Sequence, residues 1–174
     1  MKFPDIGSTG GVAKKDRLSL KDGEAVKGVF RGDPHPFRQH WVDGSSTFCP
    51  GKGGNCQLCA AGDKSSFRFR INFVLQENGA WVAKVWEQGW KAYQDLKSLH
   101  ESDYDLEKTV VKISRRGSGK NDTAYTVLPV PNGVLGQKDL AAVSAVPLHD
   151  LSPRDKAETE DDGEPEHTED DIPF

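Results

Sequence analysis

The stretch Phe67-Arg68-Phe69-Arg70-Ile71-Asn72-Phe73-Val74-Leu75 decides the fold class of this 174-residue chain. Its apolar residues alternate with charged or polar ones, which is the period of a strand with one face toward a core. Asn78-Gly79 follows as a strong turn signal, and residues 81–86 return as a second strand. The pattern predicts a hairpin that points Phe69, Ile71, Phe73 and Leu75 inward and Arg68 and Arg70 outward.

The segments on either side of this hairpin extend the prediction to a small barrel. Residues 26–31 and 37–42 are expected to be extended pieces separated by Pro34 and Pro36, and residues 43–63 a long loop. Residues 89–100 have a helical period, and the remaining elements are strands at 109–116 and 123–130 and helical turns at 137–145. One helix between the third and fourth strands is the order of the five-stranded OB-fold. Other small barrels and α+β sheets share this order and stay open.

Charge divides the chain into a basic body and an acidic tail. Residues 1–153 carry 21 Lys and Arg against 17 Asp and Glu, whereas residues 154–174 carry 2 against 10. We therefore expect three parts: a flexible arm at 1–23 with Leu18 and Leu20 pinned to the core, an OB-fold domain at 24–149, and a disordered tail at 150–174. No apolar run is long enough for a membrane span and no signal-peptide pattern is present, so we expect a soluble cytoplasmic protein.

A histidine and all three cysteines of the chain lie in or beside the long loop, as His40, Cys49, Cys56 and Cys59. Two cysteines separated by two residues can bind one ion from a tight turn, and glycines in the loop allow it to fold back. These residue types predict one structural zinc in a four-ligand Cys₃His site, with the insert at 40–62. His35 is the alternative fourth ligand, and reduced cysteines without metal are the alternative to a site.

The predicted hairpins carry basic and aromatic residues. These are the residue types that bind single-stranded DNA, which offers phosphates and exposed base faces. Lys84 and Trp86 share one parity on the return strand, which predicts a stacking platform, although Trp86 and Trp41 could equally pack in a core. The candidate DNA-binding residues are Arg38, Trp41, Arg68, Arg70, Lys84, Trp86, Lys112, Arg115, Arg116 and Tyr125.

The region from Asp22 to Asn132 resembles the zinc-containing, OB-fold single-stranded-DNA-binding (helix-destabilising) proteins of tailed bacteriophages. The resemblance rests on the His-Cys-Cys-Cys spacing, on Phe67-Arg68-Phe69-Arg70-Ile71-Asn72-Phe73, on Trp86-Glu87-Gln88-Gly89-Trp90 and on Val111-Lys112-Ile113-Ser114-Arg115. It implies the same four zinc ligands. The insert is shorter than in that family, and its basic N-terminal segment is reduced here to Lys14, Lys15, Arg17 and Lys21.

The last five residues, Asp170-Asp171-Ile172-Pro173-Phe174, resemble the acidic tip of bacterial single-stranded-DNA-binding proteins. A terminal Phe beside its own carboxylate can enter an apolar pocket next to a basic residue of a partner. A tail that only aids solubility is the alternative. The tail is also expected to occupy the basic DNA-binding surface when DNA is absent.

These features predict a non-catalytic protein that coats and protects single strands in replication, recombination or repair. It would recruit partner proteins of those processes through its tip. The sequence contains no phosphate-binding Gly-Lys-Ser/Thr loop and no catalytic set, so an enzyme is not expected. The alternative is a zinc-stabilised adaptor for replication or recombination proteins with secondary DNA contact, and a homo-oligomer stays open.

Overall fold

The computed structural model describes residues 1, 13–51, 55–119 and 122–151. It is mostly β-structure with few helices, as predicted. The strands are β1 (Ala25–Val42), β2 (Ser45–Phe48), β3 (Ser66–Glu77), β4 (Ala80–Gln88), β5 (Thr109–Arg116) and β6 (Ala124–Val134). The helices are α1 (Gln57–Ala60), α2 (Trp90–Glu101) and α3 (Gln137–Ser144), and a 3₁₀ turn covers Lys14–Asp16. α2 and α3 lie where a helix at 89–100 and helical turns at 137–145 were predicted, whereas α1 was not predicted.

The strands form one antiparallel sheet in the order β4-β3-β1-β5-β6, with β2 paired to the end of β1. β4 and β6 are its two edges, and no ladder joins them within the described ranges. The closed five-stranded barrel that we predicted is therefore not confirmed, because the sheet is not closed. Trp86 of β4 and Tyr125 of β6 nevertheless lie near each other, with ring centroids 6.2 Å apart.

The hairpin of β3 and β4 is the most local feature of the fold. Asn78 and Gly79 have φ angles of 51° and 81°, the left-handed values of a two-residue turn matched to strand twist. The register from Phe69 to Glu77 against Ala80 to Gln88 is uninterrupted. The hairpin predicted from the sequence is confirmed in this part of the chain.

β1 is one strand of 18 residues and not two extended pieces. The prolines do not end it. Instead, its pairing with β3 shifts between Arg31 and His35, beside Gly32 at φ 72°. Its far end turns at Asp43 and Gly44 into β2, so the predicted loop at 43–63 contains a short hairpin and the turn of α1.

The main core lies between one face of this sheet and α2. The fully buried rings of Phe30, Phe69, Phe73 and Trp86 meet there, with Trp86 5.6 Å from Phe30 and 5.7 Å from Phe69. α2 contributes Tyr93 and Leu96, as its helical period predicted. Trp86 is 0% exposed, so its predicted role as an outward stacking platform is wrong. The platform prediction failed because the face that Trp86 shares with Lys84 is the core face.

The C-terminal part of the domain covers the second face of β3. Val143 of α3 packs against Val29 and Val74, all three fully buried. Asn72 is clasped by the backbone of His149, whose N–H donates to Asn72 Oδ1 at 2.9 Å and whose carbonyl accepts from Nδ2 at 3.1 Å. β3 is therefore buried on both faces, and the predicted outward orientation of its polar residues does not hold along its centre.

The segment before β1 is hydrogen-bonded to β4 and to β5. The Leu18 N–H donates to the Val85 carbonyl at 2.9 Å, and Arg115 Nη1 donates to the Leu20 carbonyl at 2.6 Å. Leu20 is 4% exposed and Leu18 packs on the core, so both residues are pinned as the sequence suggested.

None of the described helices has the length and apolarity needed to cross a membrane. The predicted disordered tail lies, after Leu151, outside the described residues.

Candidate metal centre and nucleic-acid interface

Four potential metal ligands converge at the far end of β1. His40 is on β1, Cys49 follows β2, Cys56 precedes α1, and Cys59 lies within it. One ligand atom from each residue lies within 4.8 Å of the others. The structure thus brings together the four residues predicted from the sequence. His35 is outside this cluster and lies instead beside Phe37, with ring centroids 6.5 Å apart.

The backbone around α1 holds the two cysteines of the pair on one tight turn. The Ala60 N–H donates to the Cys56 carbonyl at 3.0 Å, and the Gly62 N–H donates to the Cys59 carbonyl at 3.1 Å. Cys49 is fixed from the other side, because its N–H donates to the Arg38 carbonyl of β1 at 2.9 Å. The ligands therefore come from three segments that share backbone hydrogen bonds with β1 or with each other.

The spacing of the ligand atoms fits a tetrahedral zinc ion. Zinc bonds of about 2.3 Å to sulfur and about 2.0 Å to nitrogen place ligand atoms roughly 3.5–3.8 Å apart. The Sγ atoms of Cys49 and Cys59 are 3.5 Å apart, and His40 Nε2 is 3.3 Å from Cys56 Sγ and 3.4 Å from Cys59 Sγ. These distances are a few tenths of an ångström short of the ideal. One His and three Cys therefore form a site that can hold a single zinc ion.

Asp63 orients the histidine of this site. Its Oδ2 lies 2.8 Å from His40 Nδ1, so Nδ1–H donates to the carboxylate and Nε2 faces the sulfurs. A carboxylate behind a histidine ligand is a common feature of zinc sites, since it fixes the tautomer and the ring orientation. Asp63 was not among the residues predicted from the sequence. Its signal was a carboxylate four residues after the last cysteine.

The thiols of the cluster perturb each other. The pKa of Cys59 is raised to about 11 by its hydrogen bond to Cys49, by burial and by the neighbouring Cys56. Burial also raises the pKa of Cys49, but hydrogen bonds from the Gly51 backbone and from neighbouring side chains outweigh it and lower that pKa overall. One thiolate is therefore favoured at the expense of another, and a bound dication would relieve this competition.

Arg70, predicted to face DNA, is buried in the protein. It is 4% exposed, its Nε donates to Glu87 Oε2 at 2.9 Å, and its guanidinium carbon lies 4.8 Å from the centre of the Phe37 ring. The prediction of an outward Arg70 is therefore wrong. The alternation of β3 separated its two faces correctly, but this part of the second face is closed by Phe37 and Glu87.

Three other predicted DNA-binding cations, Lys84, Lys112 and Arg116, do not lie on one surface with Arg115. Lys84 is half-buried, donating to the Lys15 carbonyl at 3.2 Å and pairing with Glu77 at 3.4 Å. Lys112 and Arg116 are exposed, and by the alternation of β5 they lie on the face opposite to Arg115. The predicted DNA-binding cations of the two hairpins therefore do not form one basic surface.

Arg38 and Trp41 lie beside the metal cluster. Arg38 Nε donates to Ser65 Oγ at 3.0 Å, and Arg38 borders a depression with Cys49, Cys59, Asp63 and Lys64. Trp41 is 62% exposed on the hairpin of β1 and β2. Arg38 therefore borders the metal cluster, and Trp41 is exposed next to His40 in the chain.

A groove at the open side of the sheet brings together the remaining three candidates. Two adjoining depressions share Arg68, Gln88, Thr123 and Tyr125, and these four residues define the central groove. One depression extends to Gly89 and Lys91 at the start of α2, and the other extends to Arg115 and the turn after β5. Arg68, Arg115 and Tyr125 thus lie along one continuous concave surface.

The two arginines of the central groove differ in their hydrogen bonding. Arg115 is fixed by the carbonyls of Gly117 and Leu20 and by Thr123 Oγ1, at 3.2, 2.6 and 3.4 Å. Arg68 is half-buried, and its buried Nε has no hydrogen-bond partner among the residues that the structure describes. A buried donor without an acceptor costs about 1–3 kcal/mol. The Arg68 Nε–H is therefore a donor without an acceptor on a residue that borders this groove.

Two acidic residues also border the central groove, and both are engaged. Glu87 pairs with Arg70 at 2.9 Å and with Arg17 at 3.9 Å. Asp122 Oδ1 accepts from the Gly119 N–H at 2.6 Å. Both carboxylates repel an anion. The part of the groove that favours an anion is therefore the part near Arg68.

The predicted partner-binding tip, Asp170-Asp171-Ile172-Pro173-Phe174, lies outside the described residues. No protein-family model matches the chain, and comparisons with curated proteins and with solved structures gave no significant match.

Proposed function

We propose that this chain is a non-catalytic single-stranded-DNA-binding protein that coats and protects single strands in replication, recombination or repair. The observation that carries the proposal is the convergence of Arg68, Arg115 and Tyr125 on the central groove, where Arg68 Nε lacks an acceptor. The charged guanidinium of Arg68 can pair with a phosphate, and the Tyr125 ring offers a surface for a base.

The strand order supports an OB-fold assignment. With β2 counted as part of the insert, five antiparallel strands remain, and α2 lies between the third and fourth of them. The contact of Trp86 with Tyr125 brings β4 and β6 near each other. The segment that carries Leu18 and Leu20 is hydrogen-bonded to β4. The resemblance to zinc-containing phage proteins agrees with this assignment and with a role on single strands.

One structural zinc at His40, Cys49, Cys56 and Cys59 belongs to the proposal. All four donors come from the protein, so the ion would serve to hold the insert. The insert contributes little to the core, because Cys49 is the only buried apolar residue among its described members. Elemental analysis of metal-replete protein is expected to give one zinc per chain, and protein without zinc would contradict this part of the proposal.

A titration of the full-length protein with oligo(dT) tests DNA binding. Tryptophan fluorescence is expected to be quenched by single strands, and duplex DNA of equal length is expected to bind weakly. Affinity should fall with salt, and Arg68→Ala should lower the slope of log K against log salt by about 0.7 if one phosphate contact is lost.

Lys138→Ala is the matched control for the loss of one positive charge. Lys138 is exposed on α3, which packs on the opposite side of the sheet from the main core. The slope of this variant should equal that of the parent protein. An Arg68→Ala slope that also equals the parent slope would contradict a phosphate contact at Arg68.

Recruitment through the tip is the second part of the proposed function. The terminal Phe174 and the preceding acids have the chemistry for capture by a basic-rimmed apolar pocket. A protein that binds no oligo(dT) but recruits replication or recombination proteins would instead support the adaptor. That reading is favoured by the small net charge of the body and by Arg70 and Trp86 being buried.

A further inference from the structure

Trp90, the first residue of α2, is exposed although the helical pattern groups it with the packing residues. Tyr93 and Leu96, three and six residues later, are 7% and 0% exposed, whereas Trp90 is 56% exposed. The last two members of the stripe are therefore buried, whereas the first member, Trp90, is mostly exposed. Tryptophan is enriched at binding interfaces, and the exposed Trp90 ring is available for contact with a ligand.

Two other rings hold the Trp90 ring in place. Tyr93 stacks on it, with centroids 5.9 Å apart and planes at 25°, and Phe67 meets it edge-on at 5.0 Å and 87°. Phe67 and Tyr93 contact each other at 5.1 Å, so the three rings form one cluster. Since the Trp90 ring is already positioned, a ligand that stacks on it loses little conformational entropy in ordering it.

Two cations lie near the backbone that carries this ring. Arg68 Nη1 lies 3.8 Å from the position that a Cβ would take at Gly89, the residue before Trp90. Lys91, the residue after Trp90, is exposed and borders the same depression as Arg68. A mostly exposed aromatic ring thus follows, by one residue, the glycine that the Arg68 guanidinium approaches, and the buried Nε of that guanidinium lacks an acceptor among the described residues. A nucleotide combines the two complementary groups, a flat base and a neighbouring phosphate.

We infer that Trp90 and Arg68 form a one-nucleotide subsite, in which a base stacks on Trp90 and the adjacent phosphate binds Arg68. The subsite extends the central groove onto the start of α2. This inference rests on the proposed function, since it places one nucleotide of the bound strand. An acidic or purely apolar partner would satisfy only one half of the surface, and a base with its phosphate satisfies both.

The test compares two probes of equal length and charge. One is oligo(dT), and the other is an oligonucleotide in which most bases are replaced by abasic tetrahydrofuran sites. Trp90→Ala in the full-length protein should weaken binding of oligo(dT) about 5- to 150-fold, the range for loss of one stacked base. It should leave the binding of the abasic probe almost unchanged. Arg68→Ala should weaken the binding of both.

Trp90→Phe and Tyr104→Ala complete the set. Trp90→Phe keeps an aromatic ring, so it should retain most of the oligo(dT) affinity while losing much of the fluorescence quenching that oligo(dT) causes. This readout stands even where Trp90→Ala folds poorly. Tyr104 is 40% exposed after the far end of α2, and its replacement by alanine should leave binding of both probes unchanged.

The outcomes separate the inference from the proposed function. If the parent protein binds oligo(dT) and folded Trp90→Ala binds it equally well, the subsite is wrong and the proposed function stands. An equal loss with both probes, or quenching unchanged in Trp90→Phe, would also overturn stacking on Trp90. A parent protein that binds neither probe would overturn the proposed function itself.

Discussion

Replacing Asp63 by alanine is expected to weaken zinc binding about tenfold. The Asp63 carboxylate accepts from His40 Nδ1 at 2.8 Å and so keeps Nε2 directed at the sulfurs. Loss of such a carboxylate behind a histidine ligand costs roughly 10- to 100-fold in metal affinity. The Asp63 side chain is 45% exposed, so water can take its place in part, which argues for the lower end of the range. Tenfold corresponds to about 1.4 kcal/mol.

The assay is competition for zinc against a chromophoric chelator of known affinity at neutral pH. Asp63→Asn keeps an acceptor oxygen and should lose less affinity than Asp63→Ala. Lys64→Ala, which changes an exposed neighbour, should bind zinc like the parent protein. Unchanged affinity in Asp63→Ala would refute the orienting role, and a loss of several thousandfold would mean that Asp63 does more than orient the histidine.

Three further changes probe the insert and the core. Chelation of zinc should lower the midpoint of thermal unfolding, and Cys56→Ser should show the lower midpoint without a response to chelator; an unchanged midpoint in both experiments would contradict a structural ion. Gly28→Ala should cost about 1–3 kcal/mol in urea unfolding, because its Cβ would meet the Val74 carbonyl oxygen and, at 2.8 Å, the Phe73 ring. Gly136→Ala is the control, since no atom lies within 4 Å of its added Cβ, and equal losses in both variants would rule out overpacking. Trp86→Ala should cost about 3–5 kcal/mol, measured in the same way, as expected for a fully buried ring; a loss below about 1 kcal/mol would contradict its place in the core.

The sequence predicted features that depend on a few adjacent residues. The hairpin followed from Asn78-Gly79, because few residues other than glycine and asparagine adopt the positive φ angles of that turn readily. The metal ligands followed from residue type and spacing, because cysteines two residues apart on one turn can reach a common ion. The local turn at Asp43-Gly44 carried the same kind of signal but was read as loop, so β2 was missed.

The candidate DNA-binding residues were predicted only in part, because exposure depends on distant segments. Arg68 and Arg70 are two residues apart in the same strand and looked equivalent. Arg68 borders the central groove, whereas Arg70 is enclosed by Glu87 and Phe37. No feature of the sequence near position 70 announces its partners, which come from β4 and β1.

The sequence by itself determined the turn of the hairpin, the helical period of α2 and the candidate metal ligands, since each follows from local geometry. Only the tertiary structure decided which strand faces stay open. Alternation divides β3 into two faces but does not say what covers each, and here the segment around Val143 and His149 closes the second one. Trp90 is a second example, because the helical period assigns it to the packing stripe and the structure leaves it 56% exposed.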